Sequence, residues 1–443
     1  MNIVKEKEVK KILQGKLYNL TYYLGNNMSK PLTTFIRQSI TGIIKSKGCI
    51  LRQIAIELKE DITIKKTTER LRNHLSKPEL TTQLRSRLLE KAARKLNNDS
   101  IIVMDDSDII KSSATEMEGL TYIRDGSGEH KNGFGYKLIN VAAVNSSEET
   151  GCEIIPMMSE LYSDDIEIDS CKNILFDQIN EIQIASGNKG IYTCDRYYDD
   201  KKLFKELSDN DADFIIRAKK NRKLIYQCKP IDFIDLAKTV NLDVSVKSND
   251  GTELEVGAIR VEIPVDPHPR KKPNTVSVWL IVGRYVKKPQ KRNKREFDSA
   301  DKGGYFYLYA SVRHLNDDRD EIIFKGLSGY RLRWKIEEFH RHVKQDFGWE
   351  KMQLMDYTRL KNMNLLLLAA LFLIYSMYDL RMTLFRIFPR FMCDRKRDMK
   401  KIVFIYYRIT KVVNYLFSNW KLMVRKKYKG YYAEYLQMRI KFK

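Results

Sequence analysis

Between residues 101 and 219, apolar runs and amphipathic stretches follow an order that leaves few folds open. IIVMD (101–105), YKLINVAAV (136–144) and EIIPMMSEL (153–161) read as three consecutive strands. A helical stretch over 165–186, a strand at GIYTCD (190–195), a helix at 199–207 and a strand at DFIIRAK (213–219) come next. Three strands in succession favour an antiparallel meander. Strand–helix alternation favours parallel additions. The expected core is therefore an α/β mixed sheet with flanking helices.

The chain around this core divides by pattern. Residues 1–95 read as helical and basic, with amphipathic segments at ILRQIAIEL (50–58) and TTERLRNHL (67–75), the second capped by Thr67 or Thr68. This pairing has the form of a helix-turn-helix unit whose second helix enters a major groove. Residues 96–224 form the first part of the core. Residues 225–312 alternate apolar and polar side chains between basic, Pro-containing links (DPHPRKKPN, KKPQKRNKREF), and read as a β-rich insertion. Residues 313–380 complete the core, and 381–443 are basic, aromatic and helical.

A length of 443 residues exceeds one compact core. The formal charge of +23 favours a polyanionic partner, most simply double-stranded DNA. Six cysteines form no CxxC pair, so neither a disulfide framework nor a zinc site is expected. The longest apolar run, Leu365–Ile374, is short for a bilayer span. With no apolar leader at the N-terminus, these features lead to an expected cytoplasmic, nucleoid-associated protein.

The densest chemistry lies in YRLRWKIEEFHRHVK (330–344). Tyr330, Arg333, Glu337, Arg341 and Lys344 fall within about a quarter of a helix circumference. Leu332, Ile336, Phe339 and Val343 form an apolar stripe nearly opposite. One carboxylate among three cations suits a metal site facing phosphate; an ordinary solvated face with i,i+4 ion pairs has the same pattern. Two further acids follow strands: Asp105 or Asp106 after IIVM, and Asp195 after GIYTC. Three convergent carboxylates suit Mg²⁺ or Mn²⁺. Two such ions serve in-line displacement at phosphorus. Taken singly, each aspartate also reads as a turn or helix cap. The sequence contains neither G-x-S-x-G nor a P-loop.

The 330–344 segment resembles the Tyr-(2)-Arg-(3)-Glu-(6)-Lys signature of DDE transposases encoded by bacterial insertion sequences, with Tyr330, Arg333, Glu337 and Lys344 filling its positions. CDRYYD is similar to that family's second-aspartate motif, MDDSDIIK to its first, and DFIIRAKKNR to its basic segment after the strand. The resemblance implies an RNase H-like core with a β-rich insertion before the Glu-bearing helix. It implies a metal-binding catalytic triad of Asp106, Asp195 and Glu337, holding two Mg²⁺ or Mn²⁺ ions. Asp105 is the rival for the first place and Glu338 for the last. Asp106 is preferred because it directly precedes the hydroxyl residue Ser107. Tyr330, Arg333 and Lys344 acquire a phosphate-holding role, with Arg341 assisting. Arg217, Lys219 and Arg222 are expected on the DNA backbone, and Phe306 in YFYLYAS as a platform for a flipped base. The expected activity is binding of terminal inverted repeats, metal-dependent cleavage and strand transfer by a homodimer assembled on DNA. Two other readings are a DNA-binding relative without catalysis and an RNase H-like structure-selective nuclease.

Overall fold

The computed structural model describes residues 2–111, 114–123, 133–147, 151–167, 170–247, 251–266, 274–287, 304–393 and 404–418. The centres of the two basic links of the insertion, part of the Gly-rich link near residue 130 and the segment 419–443 lie outside the described residues.

Five helices come first: α1 (Asn2–Leu24), α2 (Lys30–Ser46), α3 (Leu51–Leu58), α4 (Ile64–Leu75) and α5 (Arg85–Ala93). The expected α3–α4 pair is present, but its cap differs. Thr63 Oγ1 accepts from the Lys66 backbone N–H, so α4 starts earlier. Thr67 instead lies inside α4, buried, and donates to Glu60.

The core strands are β1 (Ile101–Ile110), β2 (Thr121–Ile123), β3 (Gly133–Ser147) and β4 (Gly151–Tyr162). Next come α6 (Cys171–Ser186), β5 (Ile191–Cys194), α7 (Lys201–Asp209) and β6 (Asp213–Arg217). β1, β3 and β4 pair antiparallel, while β5 and β6 add to β1 in parallel. The spatial order β4-β3-β1-β5-β6, with those directions, is that of an RNase H-like sheet. Right-handed crossovers through α6 and α7 are what parallel pairs of this kind require.

The insertion contributes β7 (Lys223–Tyr226), β8 (Lys229–Asp232), α8 (Phe233–Thr239), β9 (Val244–Lys247), β10 (Glu253–Asp266), β11 (Asn274–Lys287) and β12 (Tyr305–Ser311). β12 pairs with β6, and β11 and β10 follow beyond it. The insertion thus continues the core sheet, giving 12 strands among the described residues.

The helix that the spacing over 330–344 predicts is divided. α9 (Arg319–Leu332) ends in a turn at Arg333 and Trp334, α10 (Lys335–Arg341) resumes, and residues 342–346 take a π-helical turn. α9 lies close on the sheet because Gly329 faces Ile215 and Ile101: a Cβ there would come within 2.7 and 3.1 Å of their Cδ1 atoms.

Then come α11 (Tyr357–Tyr375), α12 (Arg381–Ile387), α13 (Pro389–Met392) and α14 (Tyr406–Ser418); α11 packs on β4 and α2, α14 on α2 and α11, and α12 and α13 against α14. The span Tyr357–Ile387 is long and apolar enough to cross a bilayer, yet 83% of its most apolar window is buried within the chain, as in a core helix. His342, fully buried, ties these helices to the π-turn: one ring nitrogen lies 2.8 Å from the Tyr375 hydroxyl and the other 2.9 Å from Thr410 Oγ1.

Candidate active site

β1 is longer than its apolar run, so Asp105 and Asp106 lie within the strand and point to opposite faces. Ile101 shares the Asp105 face and touches the α9 side of the sheet. On the other face, the Tyr192 hydroxyl of β5 reaches the Ile179 carbonyl of α6. Asp106 lies on this α6 side, 3.4 Å from the Tyr198 hydroxyl, in a small cleft with Cys171, Leu175 and Leu203. Asp105 faces the helix that carries Glu337. Strand parity therefore sets Asp105, and not the expected Asp106, on the face of Arg333 and the Glu-bearing helix.

β5 pairs with β1 in the register Ile101↔Ile191 to Val103↔Thr193, which carried two residues further sets Asp105 level with Asp195. Asp195 also caps the short turn that follows, its Oδ1 accepting from the Tyr197 backbone N–H at 2.7 Å. Glu337 stands in the first turn of α10, half exposed. Arg333 joins the groups: its guanidinium donates to Glu337 Oε1 at 2.8 Å and stands 3.9 Å from Asp105 Oδ2. Burial pushes the Asp105 carboxyl up to about 8, Arg333 pulls it down, and Asp195, Asp106 and Glu337 add repulsion. Glu338, the rival on α10, is buried and takes a 2.7 Å hydrogen bond from Arg341.

The other signature residues surround this centre. The Tyr330 ring lies between two guanidiniums, Arg333 and Arg217, each 5.9 Å from its centroid. Lys344 Nζ donates to the Asp108 carbonyl at 2.6 Å and so clamps the π-turn to β1. The kink at Arg333 and the π-turn alter the simple helical wheel, but Tyr330, Arg333, Glu337 and Lys344 still face β1 and its neighbours. π-turns often mark functional positions in helices.

Three expected DNA contacts are not presented to solvent. Arg217 is 4% exposed, beneath Tyr330. The Arg222 side chain is 10% exposed, pairs with the fully buried Asp199 carboxylate and stands over the Phe204 ring. Phe306 is buried on β12 over Gly283, beside Tyr285. Arg217 and Phe306 take inward positions on β6 and β12, and Arg222 is held inward by its ion pair with Asp199. Lys219 is half-buried and donates from Nζ to the Asp199 carbonyl at 3.0 Å. Asp199 itself, which also accepts from the Lys219 backbone N–H, was passed over although it closes CDRYYD. A second acid at fixed distance from Asp195 was the available signal.

Hard oxygen donors at Asp105, Asp195 and Glu337 fit a divalent cation chemically. Among the described residues, no three His, Cys, Asp or Glu side chains stand close enough together to hold one.

An RNase H-like sheet extended by an inserted set of strands and closed by a Glu-bearing helix defines the class. Residues 173–373 match the family model described as the transposase DDE domain. The piggyBac transposase synaptic complex with hairpin DNA is a similar solved structure, at 10% identity and TM-score 0.41 over 90% of this chain and 75% of that one. No curated protein matches the chain.

Proposed function

We propose that this transposase binds the terminal inverted repeats of its element, cleaves there in a divalent-metal-dependent reaction and transfers the freed 3′ end to target DNA. The observation that supports this reading is that Arg333 reaches both Glu337 and Asp105, the latter level with Asp195 across the β1–β5 pair. These three carboxylates would hold the metal, which as Mg²⁺ or Mn²⁺ supplies Lewis acidity toward water, the 3′-hydroxyl and the scissile phosphate. Arg333 offers a planar fork for two phosphate oxygens, and Lys344 a point charge beside β1. Tyr330 orients Arg333 through its ring face. No side chain acts as a nucleophile, so one set of groups serves both hydrolysis and strand transfer.

End recognition is assigned to the N-terminal helices. α4 presents Lys65, Lys66, Arg72 and Asn73 to solvent, while Arg70 is held inward by Glu60 and Gln38. A charge of +23 supports a DNA partner, and joining two ends calls for a homodimer on DNA.

The test is nicking of DNA that carries the element's ends, with Mg²⁺, by single variants. Asp105→Ala, Asp195→Ala and Glu337→Ala should abolish nicking and keep end binding in a gel-shift assay. Asp106→Ala should retain nicking. Nicking that survives in Asp105→Ala would sink the assignment. Cleavage without any joined product would favour a nuclease.

A further inference from the structure

We infer that Arg333 is an internal stand-in cation for the carboxylate centre, so that divalent metal loads fully only when DNA draws the guanidinium away. This inference rests on the metal-centre reading above.

The argument begins with charge. Asp105 and Glu337 both stand beside Arg333, Asp195 is level with Asp105 across the β1–β5 pair, and the Asp105 side chain is only 18% exposed. Like charges gathered at low exposure require a positive partner. Among the described residues, Arg333 provides it. Its guanidinium is 17% exposed, 2.8 Å from Glu337 and 3.9 Å from Asp105. The next nearest signature cation, Lys344, is turned to the Asp108 carbonyl and to Glu350 instead. Arg341 is taken by Glu338. Arg333 thus lies between the two acids that a metal would have to share.

Backbone geometry favours a side chain that changes partner. Arg333 occupies the turn between α9 and α10, where Arg333 N–H and Ile336 N–H make three-residue-step bonds at 3.1 Å in place of the α-helical pattern. The Tyr330 ring, with Arg217 also near it, offers a surface along which the guanidinium slides without losing its aromatic contact. A phosphodiester beside the centre competes for the same planar fork, because a guanidinium matches phosphate and carboxylate alike. Departure of Arg333 would free the Asp105 and Glu337 oxygens that it now occupies and remove a cation that repels a divalent metal. Metal and DNA then bind cooperatively, and linkage requires the coupling to run both ways.

The experiment measures bound Mn²⁺ directly, by loss of the free-ion paramagnetic resonance signal, with and without sheared double-stranded DNA at low ionic strength. Wild-type protein should bind Mn²⁺ weakly alone, and about tenfold or more tightly with DNA, a factor that corresponds to roughly 1.4 kcal/mol. Arg333→Gln should bind tightly without DNA and lose most of the DNA dependence. Arg333→Lys, which keeps charge but cannot span both acids, should fall between. Lys238→Gln, which removes an exposed charge paired with Asp235 on α8, should leave the Mn²⁺ affinity of the DNA-free protein near wild type. In thermal melts, Mn²⁺ should raise the midpoint of Arg333→Gln more than that of wild type. Equal Mn²⁺ affinity in wild type and Arg333→Gln without DNA, with both weakened by Asp195→Asn, would overturn the stand-in role and leave the metal centre intact. Absence of bound Mn²⁺ in every form, even with DNA, would overturn both.

Discussion

At the residue scale, the parity of one strand separates two adjacent acids. Asp105 and Asp106 are neighbours in sequence, yet one meets Arg333 and the other the Tyr198 hydroxyl on the far side of the sheet. The inward-facing basic and aromatic residues have packing contacts whose contribution can be measured. Asp199 is a buried carboxylate held by Arg222 and the Lys219 backbone. Asp199→Ala leaves Arg222 buried without its partner and should cost about 3–5 kcal/mol of unfolding free energy in urea titration. Phe306→Ala should lose about 3–5 kcal/mol in the same titration, with DNA affinity little changed once folded protein is compared. His342 gives a pH dependence. Burial holds its folded pKa below the usual imidazole value, against a smaller pull from Asp346. The unfolded chain therefore takes up a proton first as pH falls. Stability linked to this ring is complete above roughly pH 6.5 and declines below it. His342→Gln should flatten the fall of melting temperature on acidification; an unchanged slope would refute the linkage.

At the scale of elements, much was legible. Apolar runs marked β1, β3, β4, β5 and β6, though not the three-residue β2, and amphipathic stretches marked α6 and α7; 3.6-residue spacing marked the Glu-bearing segment. Strand length was less visible: after IIVM the sequence DDSD is polar, although β1 continues through it to Ile110. That single misjudged end is what left the first acid undecided. Backbone pairing with β3 along all ten residues carries the strand across its charges, and such pairing is a tertiary fact. The break at Arg333 and Trp334 was equally hidden, since neither residue is a helix breaker by propensity. The basic run after β6 read as a DNA contact because charge alone does not reveal an inward partner such as Asp199. Close helix–sheet packing at Gly329 makes a prediction at this scale. Gly329→Leu should lift α9 off Ile215 and Ile101, carry Glu337 away from Asp105, and reduce nicking far more than end binding.

For the whole molecule, charge sets how DNA is held. With +23 formal charges, binding should weaken steeply as salt rises, in proportion to the number of phosphates neutralised. The double variant Lys65→Gln, Lys66→Gln should lower the slope of log affinity against log salt by about 2 if both lysines meet backbone phosphates. An unaltered slope would move end recognition away from α4.

The His342 contacts carry a practical corollary for the far end of the chain. Because α14 supplies the Thr410 hydroxyl, and α11 the Tyr375 hydroxyl, to a ring rooted directly behind the Glu-bearing segment, α14 belongs to the foundation of the proposed reaction centre. A version trimmed to the apparent catalytic core would not be a minimal enzyme: it would stand on an undercut footing, its Glu-bearing helix free to drift.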